Sequence, residues 1–113
     1  MKIDKHVKND IVILRLSGDL TGGPDGEYFH DTIKQMITEG KNKVLVDMGS
    51  VYLVNSTGLG ILIAALTSTK NAGGALKLLN VTKRIESLLI VTKLSLIFET
   101  FKDEQEALAS FNK

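Results

Sequence analysis

Cysteine is absent from this chain of 113 residues. That excludes disulfide staples, a thiolate nucleophile and thiolate metal sites, and it leans towards a reducing compartment. Proline occurs once, at Pro24, and aromatic residues make up only 5% of the chain. No charge of one sign dominates. The formal net charge is +1, which leaves no field to draw nucleic acid or an anionic membrane. Long hydrophobic runs are missing as well. The longest, Ile61 to Leu66, falls far short of the roughly 20 residues that span a bilayer, so no direct membrane insertion is expected. Met1 to Lys5 lacks the apolar segment of a signal peptide, and a cytoplasmic location is the expectation. His6 and His30, the two histidines, sit far apart with no ligand-like pattern around either, so neither metal nor cofactor is expected.

What is present describes an ordinary soluble domain, with 43% hydrophobic and 24% charged residues. The length suits one domain, residues 1–113, with a core large enough to need no staple. Ile3–Val7 and Ile11–Leu16 are β-rich and flank the turn formers Lys8-Asn9-Asp10, which predicts a hairpin. In the second run Val12, Leu14 and Leu16 share one face, and Ile11 and Ile13 the other. Two apolar faces predict a central strand. Ser17 to Gly23 reads as a loop. Pro24 suits a first helical turn, and Phe29, Ile33, Met36 and Ile37 recur at helical spacing until Gly40. A buried strand is predicted over Lys43–Met48, a helix over about Thr57–Asn71, and a strand over Ala75–Leu79. Thr82 can cap a third helix with Ile85, Leu88 and Leu89 inward. Ile97–Phe101 reads as a last strand. Asp103 with Glu106 resembles a capping box for a terminal helix with Ala107, Leu108 and Phe111 inside. Strands alternating with helices give an α/β fold: four to five strands in a mostly parallel, mixed sheet, with about four helices.

One stretch organises the rest. The strand-like Val44-Leu45-Val46-Asp47 leads into a loop that ends in Asn55-Ser56-Thr57, where a helix of small residues begins. Hydroxyl groups there stand at the positive end of a helix, a place to hold or receive negative charge. Around the helix, Leu59, Leu62, Ile63 and Leu66 form the core face. Thr57, Gly60, Ile61, Ala64 and Ser68 lie opposite, and no charge occurs between Thr57 and Thr69. An uncharged outer face beside a hydroxyl cluster favours a protein partner, with Ile61 exposed. Ser56 alone would be read as a helix cap. A phosphate on it would be mild for the fold and severe for an interface, which is how a switch behaves. Gly58 and Gly60 would let a partner backbone come close.

At these residues the chain resembles the STAS domain of bacterial anti-sigma factor antagonists. The resemblance is carried by Val54-Asn55-Ser56-Thr57-Gly58-Leu59-Gly60-Ile61-Leu62, by the later Asn71-Ala72-Gly73-Gly74-Ala75-Leu76-Lys77-Leu78, by Ser17-Gly18-Asp19-Leu20, and by Val81-Thr82-Lys83-Arg84-Ile85 with Leu94 to Phe98. It covers almost the whole chain. The resemblance implies a binding module and not an enzyme. Dephosphorylated, it would bind an anti-sigma factor that is also a serine protein kinase and so free a sigma factor. The kinase would phosphorylate it with ATP and break the complex, and a serine phosphatase would restore it. The acceptor falls on Ser56, ahead of Thr57. Partner-binding positions fall on Asp19, Thr21, Asn55, Ser56, Thr57, Gly58, Gly60, Ile61, Ala64 and Ser68. Two positions depart from the family pattern: Asn55 stands where an aspartate usually precedes the acceptor, and Thr21 where an acid often follows the Gly-acid-Leu element.

Other functions fit less well. A serine hydrolase needs a base and an orienting group, and Gly-x-Ser-x-Gly is absent because Val54 holds its first position. Gly58-x-Gly60 and Gly22-Gly23 form neither a P-loop nor a dinucleotide fingerprint. The remaining alternative is an unphosphorylated STAS interaction subunit of a stress-signalling scaffold or a lipid-transport complex.

Overall fold

The computed structural model describes residues 1–112. Lys2–Lys8 (β1) and Ile11–Leu20 (β2) pair as an antiparallel hairpin, with Val7 opposite Val12 and Lys8 opposite Ile11. Its turn is Asn9-Asp10, where Asn9 has a left-handed φ of 56°. Asparagine tolerates that conformation, which matches the twist of the strands it joins. There follow Pro24–Thr38 (α1), Lys43–Val54 (β3), Ser56–Asn71 (α2), Ala75–Leu79 (β4), Lys83–Val91 (α3), Thr100–Phe101 (β5) and Glu104–Ser110 (α4). A 3-10 turn at Leu94–Leu96 lies between α3 and β5. The five strands lie in the order β1-β2-β3-β4-β5, with β2 to β5 parallel and β1 antiparallel to β2. This is the mixed α/β architecture expected. No helix among the described residues is long and apolar enough to cross a membrane.

Each parallel connection steps one strand along the sheet in the same direction. Crossovers of one hand then stack α1, α2 and α3 on one face. Val12, Leu14 and Leu16 of β2 point into that main core. There they join Phe29, Ile33 and Met36 of α1, Leu59, Leu62 and Leu66 of α2, and Ile85 and Leu89 of α3. Ile11 and Ile13 point the other way, into a smaller cluster with Leu45, Leu79 and Ala107 of α4. Both faces of β2 are therefore covered, as its continuous apolar pattern requires. Being short, α4 depends on tertiary anchors. Glu104 at its start binds Arg15 at 2.9 Å and Lys8 at 3.0 Å. At its end the buried Lys77 amine donates to the Ser110 carbonyl at 3.0 Å and its hydroxyl at 2.8 Å. That amine also lies 4.8 Å from the centroid of the Phe111 ring. A cation at a helix C-terminus and over an aromatic face is favourable on both counts.

The structure departs from the sequence expectation in several places. β3 continues to Val54, through residues expected to form a loop. Arg15 faces Asp47 but Ser17 faces Ser50, and Gly18 faces Val51 but Leu20 faces Val54. At each step β3 carries one extra residue, so its period of two breaks. Val51 and Val54, three apart, both turn inward, and Tyr52 and Leu53 are both left exposed. β2 likewise runs on to Leu20, through Ser17 and Gly18. The expected strand Ile97–Phe101 shortens to Thr100–Phe101, with Phe98 as a buried anchor before it. Asp103 caps α4 by accepting from the Gln105 N–H at 3.3 Å, and Glu106 stays exposed, so a single cap replaces the capping box.

Candidate functional site

β2 and β3 run parallel and end side by side, with Leu20 opposite Val54. The chain leaving β2 and the start of α2 therefore meet at the carboxyl edge of the parallel strands, where open α/β sheets commonly bind ligands. Asp19 is exposed there and Thr21 is half-buried. The first turn of α2 lies so close to β2 that a Cβ on Gly58 would overlap the Leu20 carbonyl. Gly22 faces Thr57, and a Cβ at Gly22 would come within 3.0 Å of Thr57 Cγ2. Thr57 thus packs through its methyl group on the loop before α1.

Asn55 caps α2. Its backbone is extended, with φ −96° and ψ −177°, and its side chain accepts from the Gly58 N–H at 2.8 Å. Its carbonyl takes the Leu59 N–H at 2.9 Å. This corrects the reading of Ser56 as the cap. Ser56 is the first residue inside the helix. It is exposed, and its hydroxyl has no hydrogen-bond partner among the described residues. No acidic side chain occupies this first turn. A free hydroxyl at the positive end of a 16-residue helix can take on negative charge without opposing the fold. No base hydrogen-bonds it among the described residues. His30 lies exposed on α1, at the rim of a recess of about 270 Å³ lined also by Gly22, Gly26, Thr57 and Ile61. His6 sits on the edge strand β1, opposite Ile13. Neither histidine hydrogen-bonds Ser56 or Thr57 among the described residues.

The outer face of α2 is not bare, contrary to expectation. α1 lies along it, and Ile61 is half-buried against Gly26, where a Cβ would come within 2.5 Å of Ile61 Cδ1. Ala64 and Ser68 are half-buried too, and Ser68 lines a second recess with Ile37 and Asn71. Thr57 and Gly60 are the exposed members of this set, and Gly60 has open space where a Cβ would stand. Gly58 is buried, so its missing side chain serves the contact with β2 and not a partner backbone. On the core face Ile63 is only half-buried, and Ala65 and Thr69 complete the buried stripe. The physical reason is common to these differences. Three helices on one sheet face give α2 a neighbour on its flank, which its own sequence does not record.

A second feature escaped the sequence reading. Tyr52 is 71% exposed, and the Arg84 guanidinium lies over its ring, 5.0 Å from the centroid. An open groove of about 370 Å³ runs between the end of β3 and α3, beside that pair. Adjacent apolar residues, Tyr52-Leu53, were the available signal, but a loop assignment hid their orientation.

Comparison with known proteins agrees with this fold. Residues 2–107 match the STAS domain. Over 102 residues the chain is 26% identical to a Thermotoga neapolitana protein named "Putative anti-sigma factor antagonist TM1081 homolog", and the match covers 90% of each chain. The fold superposes on the crystal structure of a Thermotoga maritima protein of the same description with a TM-score of 0.91 at 22% identity, covering 98% of this chain and 95% of that one. It also superposes on the Bacillus cell fate determinant SpoIIAA in its phosphorylated form, with a TM-score of 0.76 at 19% identity over 96% of this chain and 98% of that one.

Proposed function

We propose that this chain, which belongs to the STAS domain family, is an anti-sigma factor antagonist switched by a phosphate on Ser56. Unmodified, it binds an anti-sigma factor that is also a serine kinase, in the cytoplasm, and so frees a sigma factor. The kinase moves the γ-phosphoryl group of ATP to Ser56 Oγ, ADP leaves, and the hydroxyl proton passes to a base of the kinase. Hydrolysis by a phosphatase restores the hydroxyl.

The observation that carries this reading is the division of labour between Asn55 and Ser56. Asn55 satisfies the helix start through Gly58, so the Ser56 hydroxyl is exposed and unbound. A phosphate there adds about −1.5 to −2 charges at a helix N-terminus, which the fold tolerates. A partner seated over Ser56, Gly60 and Asp19 would meet that charge in a desolvated contact, where it is costly. Packing of the Thr57 methyl group against Gly22 supports Ser56 over Thr57 as the acceptor.

The test is incubation with ATP and each anti-sigma factor kinase of the same organism, read by intact mass. A gain of one phosphate is expected, lost in Ser56→Ala and kept in Thr57→Val. Ser56→Asp is expected to keep the wild-type circular dichroism and to lose kinase binding. No mass gain with kinases active on their own substrates would overturn the reading.

A further inference from the structure

The groove between β3 and α3 has walls built from Leu53 and Val54 on one side and Leu88 and Val91 on the other. Val91 is 79% exposed and Leu53 37% exposed, which is unusual for apolar residues that share one concave surface. Arg84, Leu88 and Val91 follow one another at i, i+4 and i+7, so they form a single stripe along α3. Arg84 is the one ionic side chain in the lining. Its guanidinium carbon lies 5.0 Å from the centroid of the Tyr52 ring, and the side chain makes no ion pair or hydrogen bond among the described residues. A cation held on a ring is already ordered and partly dehydrated, so it gains a carboxylate with little further loss of freedom.

We propose that this groove docks an amphipathic helix of the protein partner, with apolar side chains on Leu53, Leu88 and Val91 and a carboxylate on Arg84. The inference rests on the proposed function, because the partner is the anti-sigma factor that meets Ser56. Val54 closes the groove and Ser56 stands two residues beyond it, so one partner surface reaches both. Charge decides against a symmetric dimer through this groove. A copy would bring the same apolar residues and another Arg84, and no carboxylate lines the groove to answer it.

The experiment uses the full chain and the anti-sigma factor kinase that phosphorylates Ser56, with Kd measured by isothermal titration. Arg84→Glu and Val91→Asp are each expected to raise Kd at least tenfold while the chain stays folded with little change in Tm, since both side chains are exposed. Arg84→Lys should lose less than Arg84→Glu, and Lys5→Glu on the far edge strand should bind as wild type does. Wild-type Kd for both groove variants, alongside lost binding of Ser56→Asp, overturns the groove and leaves the Ser56 reading standing. If no kinase binds the chain or modifies Ser56, the functional reading itself falls and takes this partner with it. A wild-type dimer that Val91→Asp dissociates in sedimentation velocity assigns the groove to a second copy and overturns the proposal.

Discussion

The Asn55 side-chain oxygen accepts the Gly58 N–H at 2.8 Å, and that one bond takes the capping role away from the neighbouring Ser56. Two adjacent residues share the work: one holds the helix start and the next offers a hydroxyl. Asn55→Ala should therefore lower stability by about 1 kcal/mol, the usual worth of a side-chain cap. Asn55→Asp should keep the cap and match or slightly exceed wild type, because a carboxylate suits the helix N-terminus. Ser56→Ala should stay within about 0.5 kcal/mol, as for a surface change with no bond to lose. Urea denaturation checks all three. A loss in Ser56→Ala equal to that in Asn55→Ala would show Ser56 to be the cap after all.

Gly58 and Gly60 occupy similar places in the sequence motif but opposite environments. Gly58→Ala would push a methyl group into the Leu20 carbonyl. Overpacking of this kind costs about 1–3 kcal/mol, and here it would force β2 and α2 apart. Gly60→Ala points into open space and should stabilise by about 0.5–1 kcal/mol through helix propensity. Thermal melts of the two variants should move in opposite directions.

Ile61 packs against Gly26 at the contact of α1 with α2. Ile61→Lys should therefore destabilise by about 1–3 kcal/mol, the common range for disturbing a packed site. Gly26→Ala should do so too, because its new methyl group would meet both Ile61 Cδ1 and the Thr21 carbonyl. Melting temperatures equal to wild type would place Ile61 on a free surface.

Glu104 ties α4 to the sheet and makes that tie depend on pH. Hydrogen bonds from Lys8 first and Arg15 second hold its carboxyl below the ordinary value of 4.5. The Arg15 guanidinium is correspondingly raised, by Glu104 first and Asp47 second. A carboxyl lowered on folding contributes stability that is complete above its unfolded value and lost as pH falls through its folded value. Wild type should thus exceed Glu104→Gln in stability at pH 7, and the gap should close progressively below pH 4.5. Denaturant titrations at stepped pH measure it, and a gap that persists at pH 2 would contradict the role given to Glu104.

Much of the architecture was legible because it follows from short-range pattern. The nearly continuous apolar run over Ile11–Leu16 announced a strand buried on both faces, and the spacing of Phe29, Ile33 and Met36 announced the buried side of α1. The motif around Ser56 was legible for the same reason, as turn residues and small helix formers lie next to one another in sequence. The end of β3 was not legible. Two bulges against β2 set Val51 and Val54 three residues apart in the core, and no period-two pattern survives there. The fate of α2's outer face was hidden too, since an uncharged face looks alike whether a neighbouring helix or a partner covers it.

The amino-acid sequence by itself determined the order of strands and helices, the buried faces of β2 and α1, and the chemistry at the start of α2. Those depend on periodicity and on turn and cap chemistry within a few residues. Tertiary structure decided which of two adjacent polar residues caps α2, which glycine is indispensable, and that Ile61 faces α1 while Tyr52 and Leu53 face outward. These depend on which strands lie side by side and in what register, and such contacts join residues far apart in the chain: Leu20 with Gly58, Gly26 with Ile61, Tyr52 with Arg84.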